Sequence, residues 1–326
     1  MKTRWPGLWA SVVLIVSATK ATAADPRVES LAVRGQTFIH DPSSIIKDGD
    51  RYFVFGTRRG IAVRSSPDLL TWTNEPSVFF RLPEWTTHVA PGFDGFFWAP
   101  DVIRLNGRFF LYYSVSAWGK QTSAIGLATN PTLDSAATNY LWQDCGPVIQ
   151  STNGSPFNTI DPSVMLDADG RLWMAFGSYW KGIYLVELDA ATGRRANTNE
   201  PVRLAWNEKI EAACLTRHEN FYYLFVNWGQ CCRGTNSTYE VRIGRAGKVT
   251  GPYLDREGRN LVEGGGSPFL ESTGRFIGPG HIGILNQGGT NWFGYHYYDG
   301  ETFGRSRLGL GQIQWRDGWP EAKRMK

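Results

Sequence analysis

"FNTIDPSVMLDADGRLWMAFGS" (residues 157–178) sets an Asp-Pro-Ser phrase before an apolar stretch, a polar turn and an aromatic run, and "FIHDPSSIIKDGDRYFVFGT" (residues 38–57) says nearly the same thing. Each reads as an acid followed by a hairpin: an apolar strand, a turn rich in Asp and Gly, and a strand of aromatic and β-branched residues. A catalytic carboxylate needs no second copy. A duplicated phrase of this kind points instead to a structural repeat.

Three further aromatic strands extend the pattern: "RFFLYY" (108–113), "FYYLFV" (221–226) and "NWFGYH" (291–296). Counting back fifteen residues from Gly56, Tyr113, Val226 and His296, and sixteen from Gly177 where the turn is one longer, reaches Asp41, Trp98, Glu211, His281 and Asp161. The repeats span 50 to 70 residues, room for one four-stranded sheet each. With 37 glycines, 14 tryptophans, 13 tyrosines and 18 phenylalanines, and no long amphipathic helical pattern, the chain reads as all-β. Short antiparallel sheets repeated at this length make a β-propeller, which arranges them radially about a channel. Five repeats predict a five-bladed β-propeller in a single domain.

In such a ring the innermost strand of every blade lines the channel, so matched positions at the strand starts converge on one axis. Here they deliver Asp41, Trp98, Asp161, Glu211 and His281. One Asp-Pro-Ser alone could do no more than begin a strand, its acid capping local N–H groups. Three acids with a histidine and a tryptophan are another matter, because uncompensated buried carboxylates are costly; together they read as a reaction centre. Asp101, in "FWAPDVI", lies three residues beyond Trp98 and so has the opposite strand parity. It is expected to point away from the axis and to be structural.

The first residues, "MKTRWPGLWASVVLIVSATKATAAD", combine a basic start, an apolar stretch from Leu8 to Val16 and small residues ending at Ala24, the pattern of a cleaved secretory signal over 1–24. The propeller then occupies 25–326, and a secreted or periplasmic protein is expected. Removal of Lys2, Arg4 and Lys20 takes the formal net charge from +4 to +1, so the basic balance argues for no nucleic-acid partner. No later segment resembles a membrane span. Of the four cysteines, Cys145, Cys214, Cys231 and Cys232, none has zinc-site spacing, and the adjacent pair is not expected to bridge itself.

Two acids and an aromatic in a solvent-filled funnel suit sugar chemistry, in which one carboxyl group protonates the leaving oxygen and another activates water or attacks carbon. No nucleophile elbow, HExxH, Walker loop or dinucleotide fingerprint competes.

At this point longer blocks become informative. "FIHDPSSI", "FFWAPDVIRLNGRFFLYYSVSAWGKQTSAIGLAT", "NTIDPSVM", "FGSYWKGIYLVELD", "YYLFVNWGQCCRGTNSTYEVRIGRAGKVTGPYLDREG" and "GRFIGPGHIGIL" together resemble, in order along nearly the whole chain, the arabinanases of glycoside hydrolase family 43. The resemblance implies a propeller that cleaves α-1,5-linked arabinan, a pectin side chain, internally and with inversion. It further implies that Asp41 is the general base, Glu211 the general acid and Asp161 the residue that raises the acid's pKa and positions the sugar. Trp98, Asn158 and Ser178 are assigned to substrate binding, and His281 to a calcium ion or ordered water in the channel. The residues after Glu211 (Ala212, Ala213, Cys214) and the "NWGQ" segment depart from the usual family pattern, which bears on subsite shape. An exo-acting α-L-arabinofuranosidase or β-xylosidase would share the fold and acids, and a non-catalytic sugar-binding propeller would keep the aromatics. A monomer is expected.

Overall fold

The structure, a computed structural model, describes residues 32–325 together with Met1; the expected signal segment, residues 1–24, otherwise lies outside the described residues. The described strands form five sheets, each built from consecutive segments of chain except that blade two borrows one two-residue strand from within blade one. From the inside outward, blade three runs Ser163–Leu166, Leu172–Phe176, Ile183–Leu188 and Val202–Ala205, and blades four and five repeat that order from Ile210 to Leu270 and from Phe276 to Arg324. Blade one adds the short Arg34–Gly35, which pairs parallel with Thr71–Trp72, and blade two adds Arg58–Arg59. All other pairings are antiparallel between neighbours in sequence.

The aromatic second strands show why the sheets pack radially. Side chains alternate along a strand, and here both faces are apolar. Phe53 and Phe55 enter the cluster shared with blade two, whereas Val54 enters the cluster shared with blade five. In blade two, Phe109, Leu111 and Tyr113 face blade one while Phe110 and Tyr112 face blade three. Five such clusters lie between the five pairs of neighbouring blades. The fifth, in which Ile39, Val54 and Trp72 meet Leu308 and Leu310, closes the ring, and Leu308 N–H donates to Thr37 O at 2.7 Å alongside it. Closure brings backbones close: a Cβ on Gly283 would lie 2.1 Å from Ser43 O, so only glycine fits there. Among the described residues no helix is long and apolar enough to cross a membrane.

Each blade has one non-glycine residue in the left-handed region just before or within its inner strand: Asp41 (φ 49°), Ala99 (41°), Asp161 (59°), Ala212 (54°) and His281 (52°). A non-glycine residue held there costs roughly 1–2 kcal/mol, and all five are stabilised alike. The N–H of Asp41 donates to His296 Nδ1, that of Ala99 to Thr57 Oγ1, that of Asp161 to Ser114 Oγ and that of His281 to Asn227 Oδ1. The acceptor comes each time from the second strand of the preceding blade or the residue just after it. Blade three has Gly177 at that position, and the Asp161 carboxylate takes its place, accepting from Ala212 N–H at 3.1 Å.

Candidate active site

A cleft of about 640 Å³ opens at one end of the channel. It is lined by all seven residues singled out from the sequence, Asp41, Trp98, Asn158, Asp161, Ser178, Glu211 and His281. Their alignment differs from the count in one respect. The left-handed positions show that Ala99 and Ala212 are the partners of Asp41, Asp161 and His281; Trp98 and Glu211 sit one residue earlier, level with His40 and Ile160. They still reach the cleft, because the left-handed residue interrupts the alternation of side chains. Ladder registers slip between Trp98 and Asp101 and between Glu211 and Cys214, as at a β-bulge.

The same slip corrects the expectation for Asp101. Its side chain is buried within the channel wall rather than pointing away from the axis, and shares a small cavity with Ser43, Ser163 and His281. It accepts from Ser44 N–H of blade one at 2.9 Å and from Val164 N–H of blade three at 2.8 Å. One carboxylate thus ties three inner strands together, a structural role.

Asp41 is held by two close partners and flanked by two further imidazoles. His40 Nδ1 lies 2.8 Å from Oδ1, Thr57 Oγ1 donates to Oδ2 at 2.5 Å, and the Nδ1 atoms of His281 and His296 are each 3.6 Å from Oδ1. Burial by itself would raise the pKa of Asp41, but His40, with help from His281 and His296, holds it well below the carboxylate range. Burial opposes a charge on His40 too, yet Asp41 beside it wins and raises the pKa of that imidazole. His281 and His296 lie deeper, and burial lowers both.

Glu211 is held by two hydroxyls: Ser178 Oγ donates to Oε2 at 2.8 Å and the Tyr239 hydroxyl donates to Oε1. Burial raises the pKa of Glu211 in spite of those two bonds, and Asp41 adds to the rise. Asp161 is raised well above the usual range by burial, then by the like charges of Glu211 and Asp41. The pair therefore resists carrying two negative charges. One carboxylate with its pKa held down beside a pair with theirs pushed up is an acid and base arrangement. Around it, Trp98 meets the exposed Trp118 edge to face at 6.2 Å, and Tyr179 and Trp180 from blade three also line the cleft. Ser123 donates to Asn158 Oδ1 at 2.7 Å and so fixes that amide at the wall.

The sequence profile of glycosyl hydrolases family 43 matches residues 34–320, every blade included. The chain belongs to that family. As a glycoside hydrolase it is 36% identical, over 98% of its length and 93% of the relative's, to the extracellular exo-α-(1→5)-L-arabinofuranosidase ArbA of Cellvibrio japonicus. It is 37% identical, over 92% of both chains, to the extracellular endo-α-(1→5)-L-arabinanase 1 of Bacillus subtilis. Among solved structures, the α-L-arabinanase of Cellvibrio cellulosa complexed with arabinohexaose superposes with a TM-score of 0.84 at 37% identity, covering 89% of this chain and 96% of that one.

Several groups of the hydrolase's site escaped the sequence reading. Of five histidines in the chain, three gather on Asp41, and only His281 was singled out. His40 immediately precedes the repeated acid and His296 ends an aromatic strand, the only signals available for either. Tyr239 and Tyr298 carry no local signal that separates them from the aromatics of the blade cores. The adjacent cysteines depart from expectation as well: Cys231 and Cys232 form a disulfide at the cleft, while Cys145 and Cys214 are free thiols.

The donor set does not make a calcium cage. The cluster with metal-binding proximity among the described residues is His40, Asp41 and His296, not His281. His40 Nδ1 and both oxygens of Asp41 are engaged with each other and with Thr57. His296 Nδ1 accepts the Asp41 N–H, which places its hydrogen on Nε2. Calcium takes six to eight oxygen ligands; these residues alone do not supply them, so an ion beside His281 would take nearly all of its shell from water.

Proposed function

We propose that this hydrolase cleaves α-1,5-linked L-arabinan internally, with inversion at the anomeric carbon. The observation that carries the reading is the contrast between Asp41, whose pKa is held down chiefly by the adjoining His40, and Glu211, hydrogen-bonded by Ser178 and Tyr239, whose pKa is raised by burial and by the charge of Asp41. Asp41 takes a proton from a water molecule as that water attacks the anomeric carbon, while Glu211 gives its proton to the departing glycosidic oxygen. Asp161 keeps the acid's pKa high and, tied to Ala212 N–H, stays beside the preceding residue, Glu211. Trp98 and Asn158 hold the sugar, and Ser178, already bonded to Glu211, borders the same subsite. His281 would be the one protein ligand of a calcium ion whose remaining shell is water, and no catalytic step depends on it.

The arabinan specificity draws on the relatives' activities, and the extracellular relatives together with the signal-like start support secretion. A monomer suffices, since one chain supplies every group in the cleft. The exo reading is favoured by one observation, the match to an exo-acting relative over nearly the whole chain. Incubation with debranched linear arabinan separates the two: early oligosaccharides of mixed length support endo action, and a single short product from the outset overturns it. NMR of the first-formed anomer tests inversion. For the roles, Glu211→Ala should lose about 10² to 10⁴ in rate on arabinan and much less on an aryl arabinofuranoside, whose leaving group needs no proton. Asp41→Ala should be impaired on both. The reverse pattern would exchange the two roles.

A further inference from the structure

The Cys231–Cys232 disulfide is joined to Asp41 by an unbroken chain of polar contacts. Cys232 N–H donates to the Tyr298 hydroxyl oxygen at 2.6 Å, that oxygen lies 2.7 Å from His40 Nε2, and His40 Nδ1 lies 2.8 Å from Asp41 Oδ1. The imidazole of His40 is further clamped by stacking on His296, centroids 4.0 Å apart, and Cys232 Sγ rests 3.8 Å from its Nε2. Whether His40 is neutral or charged, Nδ1 carries the hydrogen that Asp41 accepts, because its other nitrogen is satisfied by Tyr298 either as acceptor or as donor. Tyr298 thus fixes the ring that fixes the carboxylate, and Cys232 N–H fixes Tyr298.

Cys232 offers its N–H in this direction from an unusual backbone conformation. Its φ is 65°, in the left-handed region, which costs a residue with a Cβ roughly 1–2 kcal/mol. A disulfide between neighbours in sequence closes a small ring that includes the backbone between them, so it restricts the torsions of both residues. With the bond open, Cys232 is free to return to an ordinary conformation and withdraw its N–H. The residues around it are anchored separately: Arg233 N–H donates to Ser237 Oγ and Gln230 N–H to Thr238 Oγ1, so opening the bond acts on this turn rather than on the blade.

We propose that the Cys231–Cys232 disulfide, Tyr298 and His40 form a positioning device for Asp41, and that reducing the disulfide slows the hydrolytic step. The proposal rests on Asp41 being the general base. In the reduction a dithiol gives up two electrons and two protons; the Sγ–Sγ bond breaks, two cysteine thiols form, and the reductant leaves as its own cyclic disulfide. Cys231 and Cys232 also line the cleft, which leaves the disulfide accessible to such a reagent.

The test is the steady-state rate on debranched arabinan of native and dithiothreitol-reduced enzyme, with thiols counted after denaturation. Reduction should raise the count from the two free cysteines to four and lower kcat by about tenfold, the scale of a modest misplacement of a reacting group, with KM changed by less than about twofold. Tyr298→Phe, which removes the middle link, should lower kcat to a similar extent, and reducing that variant should cost nothing further, since both changes cut one chain. Cys231→Ser/Cys232→Ser should match the reduced enzyme and ignore the dithiol, whereas Cys145→Ser, remote from the cleft, should respond as the native chain does. If the double serine variant does not fold, reduction of the folded native enzyme decides alone. A reduced enzyme with four thiols and full kcat overturns the proposal, as do losses from reduction and Tyr298→Phe that multiply. Asp41→Asn, assayed alongside, keeps the two readings apart: an active Asp41→Asn removes the base assignment itself, while an inactive one with an unaffected reduced enzyme removes only the disulfide's part.

Discussion

Tyr239→Phe should move the basic limb of the pH–rate profile upward. The Tyr239 hydroxyl and Ser178 Oγ are the two donors on the Glu211 carboxylate, and both favour its charged form, pulling down a pKa that burial pushes up. A hydrogen bond to a charged group contributes about 1.5 to 3 kcal/mol, and one pKa unit corresponds to about 1.4 kcal/mol. Loss of the phenol hydroxyl therefore leaves burial less opposed and raises the Glu211 pKa, by at most the free energy of that one bond. As the proposed general acid, Glu211 must be protonated to act, so activity is lost as pH rises through that pKa. The variant should keep its rate to a correspondingly higher pH, while the acidic limb, set by Asp41, stays in place. Profiles of kcat and kcat/KM on debranched arabinan measure the limb in the substrate complex and in the free enzyme respectively. A basic limb that is unchanged, or that moves to lower pH, would refute the reasoning, because the hydroxyl would then not be stabilising the carboxylate whose protonation limits the rate.

Asp161→Asn should have the opposite sign: removing the like charge beside Glu211 lets that carboxyl ionise more easily, and the basic limb moves to lower pH in the same profiles. Trp98→Ala should raise KM for arabinan while leaving both limbs in place, since stacking contributes contact and no proton; an unchanged KM would make Trp98 and its edge-to-face partner Trp118 packing alone. Removal of divalent cations by a chelator should cost less than about twofold in rate, because the contacts holding Asp41, Asp161 and Glu211 are protein groups; a larger loss restored by added calcium would show an ion doing more at His281. Phe55→Ala, in the cluster between blades one and two, should lower unfolding free energy by about 3 to 5 kcal/mol in denaturant titration, and a change under 1 kcal/mol would contradict its burial.

The number of blades and the identity of the three acids were legible in the amino-acid order because blade construction is local. Each sheet pairs strands adjacent in sequence, so the spacing from Asp41 to Gly56 and from Asp161 to Gly177 repeats as a property of one hairpin. Those two phrases also carried the Asp-Pro-Ser of the motif with them. The phase of the repeat at Trp98 and Glu211 was not legible, since a left-handed residue at Ala99 or Ala212 leaves no composition signal and yet changes which side chain faces the channel. Asp101 was misdirected for the same reason, as parity holds only along a regular strand.

The surroundings of Asp41 were decided by ring closure. His40 and Tyr298 are 258 residues apart and meet because blade five returns to blade one; His296 reaches Asp41 by the same route. Nothing local distinguishes such a histidine or tyrosine from the aromatic core of its own blade. The disulfide belongs to this class as well: the pairing of Cys231 with Cys232 follows from a turn whose second cysteine is left-handed and held by a tyrosine from the next blade. Sequence periodicity thus determined which acids share an axis, while the hydrogen bonds and burial that separate their pKa values exist only once the blades have closed into a ring.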